Sequence, residues 1–329
     1  MPLINHCNGG GGTPQLCGQV ENFKAGLGNL SVILSWTAPS PDEDNSFVGA
    51  RIVRKTGSAP TGINDGTIVY EGTALTYTDT GLTAGTTYYY RAFAYNAKKK
   101  YQTAYRVASR TAMALNPNFA GNTWELIMEV CQGGGVPDTW VAGDSKAMTI
   151  DRVDYQFDIV GKNHDTYTAG GIAPLTFGLH DCYGTKHKMN GTNTNSTGWD
   201  GSEMRTETLA AILAKMPVNI QNGIRAVNKL TATSGTNETI KTASDKLFTF
   251  SEMEVYGSVK YSYSGEGKQY DYYKAGNSKV KKVGSTASWW WLRSPRRNDS
   301  NGFCAVGTGG SVYFSVASSS GGVCFGFCF

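Results

Sequence analysis

Short segments that alternate apolar and polar residues, separated by turn residues, dominate the first third of this sequence. Alternation with a period of two places one set of side chains on a buried sheet face and the other set in solvent. No long helical pattern interrupts these segments, which favours a β-sandwich over a fold of alternating strands and helices. The predicted strands are SVILSW (31–36), GARIVRKT (49–56), TIVYEG (67–72), LTYTDT (75–80), TYYYRAFAYN (87–96) and AYRVASRT (104–111).

The region from 20 to 112 contains no cysteine, so its core must rest on packing, and Trp36 is the predicted centre of that core. The segments LSWTAPSPDEDNSFVGARIVRK and YTDTGLTAGTTYYYRAFAYN resemble a fibronectin type III domain. The early tryptophan of that family matches Trp36, and its Leu-x-x-Gly-x-x-Tyr turn matches Leu82, Gly85 and Tyr88. The resemblance implies an all-β sandwich that serves as a spacer or an adhesive module and carries no chemistry of its own.

Composition changes divide the rest of this multidomain chain. A Gly-rich lead-in covers residues 1–19, and MALNPNFAGNT (113–123), with several small residues and a proline, predicts a linker. The segment 124–329 mixes short strands with one amphipathic helical stretch at 203–230. Its apolar residues keep a helical period on both sides of Pro217, which predicts two consecutive helices packed on a core. They are Leu209, Ile212, Leu213 and Met216 before the proline, and Ile220, Ile224 and Val227 after it.

Charge and hydropathy exclude several classes of function. The formal net charge is only +4, and the basic runs at 98–100 and 279–282 read as solvated loop charges because no aromatic residues interleave them. Nucleic-acid binding is therefore not predicted. No stretch of about 18 apolar residues could insert into a membrane, and the N-terminus lacks the pattern of a secretion signal.

The seven cysteines fit neither a disulfide framework nor a CxxC metal cluster. This usage favours synthesis in a reducing cytoplasm. Cys7 and Cys17 flank the Gly-rich lead-in and leave two interpretations open. They are either free thiols of an anchoring segment, or a pair that bonds or binds a metal together with His6.

Catalytic motifs are missing from the sequence: there is no hydrolase elbow, no HExxH zinc motif and no P-loop. The neighbours His164–Asp165 and His180–Asp181 could hold a metal, but adjacent strand residues point to opposite faces, which favours structural polar networks. The Asn- and Thr-rich segment 189–205 allows either a self-bonded loop or a sugar site in which Trp199 stacks on the ligand. We predict no catalytic residue, no metal and no cofactor, and a protein that is not an enzyme.

A second set of motifs runs in order through the rest of the chain: DTWVAGDSKAMTI, DIVGKNHD, LTFGLHD, MNGTNTNSTGW, SDKLFTFSEMEVYG, WWWLRSP and the terminal GVCFGFCF. These motifs resemble C-type-lectin-like domains of surface and phage proteins from Gram-positive gut bacteria. Some members are variable targets of diversity-generating retroelements. The resemblance implies an α+β fold for 124–329, similar at the level of the fold alone to formylglycine-generating enzymes. The calcium-binding triplets of C-type lectins are missing, so calcium-dependent sugar binding is not implied.

The residue types near the C-terminus match what retroelement mutagenesis would leave. Mutagenesis at adenines turns AAC-type codons into codons that still end in a pyrimidine, so Lys, Glu, Gln, Met and Trp should be absent. All five are absent from residues 296–329, which use only residue types that such codons reach. The alternative is a Gly- and Ser-rich β region that excludes long side chains for packing reasons.

The resemblance therefore implies a variable region at about 296–323, between fixed segments whose aromatics and whose Cys304, Cys324 and Cys328 are expected to be buried. Tyr313 and Phe314 would supply rigid contact area while Ser and Gly adapt, as in antibody paratopes. The predicted ligand-binding residues are those that Asn-derived codons reach and that interleave with fixed positions such as Phe303. They are Asn298, Asp299, Asn301, Gly302, Ala305, Gly307, Gly309, Tyr313, Phe314, Ser315, Val316, Ser318 and Ser320.

The function that follows is receptor binding by a phage tail-fibre or tail-tip adhesin. Its partners would be a host cell-surface receptor, either protein or glycan, and other virion tail proteins, and a homo-oligomer would add avidity. Such a protein is made in the cytoplasm and resides in the virion tail. One alternative is an adhesin of the same fold on the bacterial cell surface. The other is an oxidoreductase related to formylglycine-generating enzymes, which would need an accessible, reactive cysteine pair.

Overall fold

The computed structural model describes residues 17–40 and 46–329, so Cys7 and His6 of the predicted lead-in lie outside the described residues. The described chain divides into two compact units. Their main boundary falls between Leu115 and Asn116, inside the stretch predicted as a linker, and Gly133–Gly135 are grouped with the first unit. None of the helices in the two described ranges is both long and apolar enough to cross a bilayer.

The first unit contains two antiparallel sheets. Its strands are β1 (Glu21–Gly28), β2 (Ser31–Thr37), β3 (Gly49–Thr56), β4 (Thr67–Gly72), β5 (Thr76–Asp79), β6 (Thr87–Tyr95) and β7 (Arg106–Thr111). One sheet has the order β1-β2-β5 and the other β4-β3-β6-β7. The six strands predicted from alternation are confirmed. The prediction omits β1, in which two glycines interrupt the apolar positions.

The core of the first unit lies between its sheets and centres on Trp36, as predicted. Trp36 is 4% exposed, and its ring centroid lies 5.5 Å from that of Tyr70. Tyr90 donates a hydrogen bond to Asp79 Oδ2 at 2.8 Å, and Arg54 donates to the same carboxylate at 2.8 Å. Because Asp79 lies in one sheet and its two partners in the other, this buried contact ties the sheets together.

The second unit is mostly β. Its strands are β8 (Ser145–Ile150), β9 (Val153–Lys162), β10 (Leu175–Leu179), β11 (Val227–Ser234), β12 (Asn237–Asp245), β13 (Phe248–Thr249), β14 (Lys281–Val283), β15 (Thr286–Ser288), β16 (Trp290–Pro295), β17 (Gly302–Val306), β18 (Val312–Val316) and β19 (Phe325–Cys328). They form a five-stranded sheet of order β13-β19-β10-β9-β8, a three-stranded sheet of order β16-β17-β18, and the hairpins β11-β12 and β14-β15.

The helices of the second unit are short: α1 (Trp124–Gly133), α2 (Leu209–Lys215), α3 (Val218–Gly223), α4 (Glu252–Tyr256) and α5 (Asp271–Lys274). The predicted break at Pro217 is confirmed, because the proline lies between α2 and α3. The prediction that Val227 continues the second helix is wrong. The chain leaves the helix after Gly223, and Val227 begins β11.

The C-terminal segment forms an inner strand of the five-stranded sheet. Phe325, Phe327 and Phe329 have no exposed surface, and the ring centroids of Phe327 and Phe177 lie 5.2 Å apart. β19 pairs with β10 on one side and with β13 on the other. The predicted burial of the terminal aromatics is confirmed, and Cys304, Cys324 and Cys328 are likewise fully buried.

Candidate ligand-binding face

The three-stranded sheet places one exposed strand beside two buried strands. All residues of β16 and β17 are buried, whereas β18 leaves 47% of Tyr313 and 44% of Val316 exposed. β17 and β18 pair in an antiparallel register that runs from Gly302↔Val316 to Val306↔Val312. The packed interior therefore ends at β17, and the predicted variable region reaches solvent at β18.

Four partly exposed aromatic rings form a continuous line across this strand, which we call the aromatic row: Trp289, Tyr313, Phe314 and Tyr261. Successive ring centroids in this order lie 6.3, 5.9 and 4.9 Å apart. The guanidinium carbon of Arg296 lies 3.6 Å from the centroid of the Phe314 ring, a cation–π contact that holds the ring in place. Aromatic rings fixed in this way offer contact area at a low entropic cost.

The loop between β16 and β17 is held from below by a buried asparagine. Asn195 is fully buried, and its Nδ2 donates to the backbone carbonyls of Asp299 at 2.9 Å and Gly302 at 2.7 Å. Asp299 Oδ1 accepts the backbone N–H groups of Asn301 and Gly302, each at 2.7 Å. Asn298 has a φ of 56°, in the left-handed region that asparagine tolerates better than most residues. The loop is a fixed turn that exposes Asn298 and Asn301.

Asn195 belongs to the Asn- and Thr-rich segment 189–205, for which the sequence leaves open a loop or a sugar site. Trp199, the aromatic that a sugar site would need, is fully buried and donates from Nε1 to Asp245 Oδ2 at 2.8 Å. Asn193 Oδ1 accepts the backbone N–H of Ser318 at 3.2 Å. The segment is therefore a support that carries the predicted variable region.

Eleven of the predicted ligand-binding residues lie at exposed or partly exposed positions in β18 or in the loops that flank β17 and β18: Asn298, Asp299, Asn301, Gly307, Gly309, Tyr313, Phe314, Ser315, Val316, Ser318 and Ser320. The other two, Gly302 and Ala305, are buried in β17, so the expectation that they face a ligand is corrected. β17 is the middle strand and is covered on both faces, so alternation along it exposes no side chain.

The structure adds two residues that the codon criterion could not select, Trp289 and Tyr261. Both lie outside the codon-restricted segment, and Trp289 is half-buried where the sequence predicts burial for the whole WWWLRSP run. Gly321 packs against this tryptophan, because a Cβ added to Gly321 would lie 2.2 Å from Cζ3 of Trp289. Any other residue at 321 must displace the ring, so the substitutable face ends at Ser320.

Beneath the face, β16 is anchored by a buried ion network. Arg293 donates to the two carboxylate oxygens of Glu254 at 2.5 and 2.8 Å, and Lys229 bridges Glu254 at 2.7 Å and Asp165 at 2.8 Å. None of the four side chains is more than 5% exposed. Burial opposes ionisation of Glu254, but Arg293 and Lys229 outweigh it and lower the pKa of Glu254. Burial likewise opposes ionisation of Asp165, yet Lys229 lowers its pKa to about 2.

Glu266 borders this network, and its pKa is raised whereas the pKa values of Glu254 and Asp165 are lowered. Its side chain has no exposed surface, and burial raises the pKa of the carboxyl to about 7. Glu266 Oε1 accepts the backbone N–H of Ala232 at 2.8 Å, and the Glu266 carbonyl accepts from Arg293 Nη2 at 3.2 Å. Only the first of these bonds reaches the carboxyl, and it does not repay the loss of hydration that raises the pKa.

The two His-Asp neighbours of the sequence do not pair with each other. His180 Nδ1 lies 2.9 Å from Oδ2 of the buried Asp158, and this contact raises the pKa of His180. The His164 ring stacks on Tyr270 with centroids 3.9 Å apart, and burial lowers the pKa of His164. Within residues 17–40 and 46–329, no three His, Cys, Asp or Glu side chains converge as a metal site would require.

Each histidine borders a cleft, of about 280 Å³ beside His180 and about 500 Å³ beside His164. The larger cleft is lined in part by Asp165, Lys229 and Glu254, whose charges are balanced within the ion network once Arg293 is included. Near the smaller cleft, Lys281 is 2% exposed and donates to the His180 carbonyl at 2.7 Å, so the prediction of solvated charges at 279–282 is wrong for this lysine. Neither cleft reaches the aromatic row.

The strand order of the first unit, three strands facing four, is that of a fibronectin type III-like β-sandwich. Similar solved structures include the FN3tt mutant (19% identity, TM-score 0.23, 30% of this chain and 97% of that chain). A computer-redesigned β-sandwich protein is 22% identical (TM-score 0.25, 30% and 98%). The fibronectin type III domain of human fibronectin type III domain containing protein 3 is 19% identical (TM-score 0.27, 32% and 94%). The identities are low, and the fold assignment rests on the strand order.

The second unit matches a family whose function is not described. Residues 176–327, just under half of the chain, match the family "Domain of unknown function (DUF6273)". The match begins in β10 and ends in β19, so it includes the whole three-stranded sheet and the aromatic row. No curated protein matches the chain.

Proposed function

We propose that the second unit is a C-type-lectin-like receptor-binding domain whose exposed face around β18 is varied by a diversity-generating retroelement. The chain would then be a phage tail-fibre or tail-tip adhesin. One observation carries the proposal. The codon-restricted segment supplies two strands of the three-stranded sheet, and of these β18 is exposed while β17, like β16, is buried. Variation at exposed positions changes a surface at little cost in stability, whereas variation elsewhere in this sheet would damage the core.

The fixed surroundings of β18 suit a surface of changing sequence. The loop before β17 is held by Asn195, and the aromatic row ends on Trp289 and Tyr261, all outside the codon-restricted segment. A varied residue therefore meets a framework that does not vary with it. Tyr313 and Phe314 supply rigid contact area in the present sequence, and the serines and glycines around them adapt to the ligand.

The buried cysteines support binding over catalysis. An oxidoreductase related to formylglycine-generating enzymes would need a reactive, accessible cysteine pair. Cys304, Cys324 and Cys328 have no exposed surface, and burial raises the pKa of each thiol, that of Cys324 to about 11. Thiols in this state are poor nucleophiles.

In this proposal the fibronectin type III-like unit is a spacer, and the partners are a host cell-surface receptor and other proteins of the virion tail. A homo-oligomer would present several faces at once and add avidity to a modest affinity for a single site. The protein would be made in the cytoplasm and reside in the virion tail.

The test is binding of the purified full chain to a panel of Gram-positive gut bacteria, measured by flow cytometry. Substitution Tyr313→Ser should weaken binding at least about tenfold, because a central aromatic anchor of an interface is worth roughly 2 kcal/mol or more. Tyr105→Ser is the matched control, since Tyr105 lies in the first unit and is 46% exposed against 47% for Tyr313. Equal binding by the two variants would overturn the proposal.

Sequencing the DNA beside the gene tests the diversification separately. We expect a near-identical repeat of the 3′ end that differs mainly at adenines, together with a reverse transcriptase gene. A locus without such a repeat would remove diversification from the proposal while leaving receptor binding to the cell assay.

A further inference from the structure

β18 is an edge strand, and its free edge carries unpaired backbone groups. In the sheet order β16-β17-β18, it pairs only with β17. Two hydrogen bonds fix the pattern: Ala317 N–H donates to the Asn301 carbonyl and Gly307 N–H donates to the Ser311 carbonyl, both at 2.8 Å. In an antiparallel pair the bonded residues alternate, so 313 and 315 also bond to β17. The backbone groups of Val312, Phe314 and Val316 then point away from the sheet.

Within the part of the chain that the structure describes, all but one of these outward groups lack a hydrogen-bond partner. Among the described residues, no hydrogen bond reaches the backbone N–H or carbonyl of Val312 or Phe314 from outside the sheet. The Val316 carbonyl accepts the N–H of Ser319 in the following turn, which leaves the Val316 N–H free. The edge therefore offers a row of alternating donors and acceptors to anything that lies alongside it in an extended conformation.

This edge also lacks the features that normally block strand addition. Proteins protect edge strands with charged residues, prolines, bulges or short length. β18, with the sequence VYFSV, contains no charge and no proline, and its register with β17 has no bulge. Other edge strands carry exposed or partly exposed charges, for example Arg106 in β7, Lys146 in β8 and Glu71 in β4.

We propose that the receptor is a protein, and that an extended segment of it adds as a fourth strand to the free edge of β18. This inference rests on the proposed function and names the ligand class of the same face. Backbone hydrogen bonds of this kind do not depend on the side chains at 312–316. The position of the added strand would then stay the same when those side chains are varied. The rings of Tyr313 and Phe314 would determine which side chains of the partner fit beside them. β18 has no charged side chain, so the added segment finds no ion-pair partner on the strand itself.

The first experiment separates the edge from the side chain. Phe314→Pro removes an outward N–H without removing a bond to β17, and edge positions tolerate proline. Phe314→Ala removes the same ring but keeps the N–H. Binding to the bacterial panel should be at least about tenfold weaker for the proline variant than for the alanine variant, since the bond and the strand's close approach are both lost. The two variants should melt at similar temperatures, and amide exchange at 312, 314 and 316 should slow in the wild-type chain when a phage-displayed linear peptide binder is added.

The same panel distinguishes failure of this inference from failure of the proposed function. Protease treatment of the bacteria should abolish binding, and periodate oxidation of surface glycans should leave it unchanged. Binding that survives protease but not periodate would overturn strand addition and leave receptor binding intact, whereas binding to no cell type would overturn the proposed function itself.

Equal binding by the proline and alanine variants would also overturn strand addition. So would a wild-type dimer in sedimentation that Phe314→Pro converts to a monomer, because the edge would then be occupied by a second copy of this chain.

Discussion

β17 and β18 are adjacent five-residue strands built from the same restricted set of residue types, yet they occupy opposite environments. GFCAV of β17 is buried along its whole length, while VYFSV of β18 is exposed or partly exposed at every position. Ala305 and Tyr313 face each other across the register, one with no exposed surface and the other 47% exposed. Position in the sheet, and not composition, therefore decides which of these residues a substitution can change without harm.

The largest expected effect comes from removing the charge that anchors β16 to α4 and β11. Arg293→Met leaves Glu254 buried without its main partner and should lower the free energy of unfolding by about 3–5 kcal/mol. Urea denaturation followed by tryptophan fluorescence measures this loss. Arg297→Met is the control, because Arg297 is exposed, and it should change stability by less than about 0.5 kcal/mol. Similar losses in both variants would show that the interior of this sheet is not held by the ion network.

The pH dependence of stability tests the same interior through Glu266. Its pKa is raised from 4.5 to about 7, so the neutral form stabilises the fold below about pH 4.5 and this contribution is lost as pH rises through 7. Stability of the wild-type chain should fall by up to about 3 kcal/mol over that window relative to Glu266→Gln, which stays neutral. Denaturation midpoints between pH 4.5 and 8 provide the measurement. Glu238→Gln, at an exposed position in β12, should keep the wild-type decline, and an identical profile for Glu266→Gln would contradict the prediction.

The smallest expected effects on stability test the difference between β17 and β18 most directly. They come from changing the side-chain size of two residues that face each other, Ala305 and Tyr313. Ala305→Val adds two methyl groups to a packed strand and should cost about 1–3 kcal/mol. Tyr313→Ala, which removes a far larger group from the opposing strand, should cost less than about 1 kcal/mol. Thermal unfolding of both variants measures the two effects. The reverse order would mean that β18 belongs to the core and is not a surface for variation.

The sequence was most informative where one period runs uninterrupted. Alternation locates β2 to β7, although the inner strand β6 is buried on both faces over most of its length, because β-branched and aromatic residues between turn residues mark a strand as well. Alternation does not select exposed residues in β17, because this middle strand is buried on both faces. For this reason the expectation that Gly302 and Ala305 face a ligand is wrong. The helical period predicts a helix that reaches Val227, but the helix ends at Gly223. An apolar residue at 227 suits a buried strand position as well as a helix, so the period does not locate the end of the helix.

The framework of the candidate face depends on contacts between residues far apart in sequence. Asn195 supports Asp299 and Gly302, more than a hundred positions away, and Lys229 joins Asp165 to Glu254. A single sequence contains no signal for such pairs. The codon criterion identified most of the exposed residues of the candidate face. Trp289 and Tyr261 lie outside the codon-restricted segment, and only their packing against Tyr313 and Phe314 assigns them to this face.

The contact between Gly321 and Trp289 has a consequence for anyone who builds libraries on this scaffold. Randomisation confined to the exposed positions up to Ser320 samples sites with room for new side chains, so most clones should fold and the screen would report on recognition. Extending the randomised window by one codon would place a side chain where the indole ring already lies. The yield of folded clones would then drop sharply, and sequencing of the survivors should return glycine at 321 in nearly all of them.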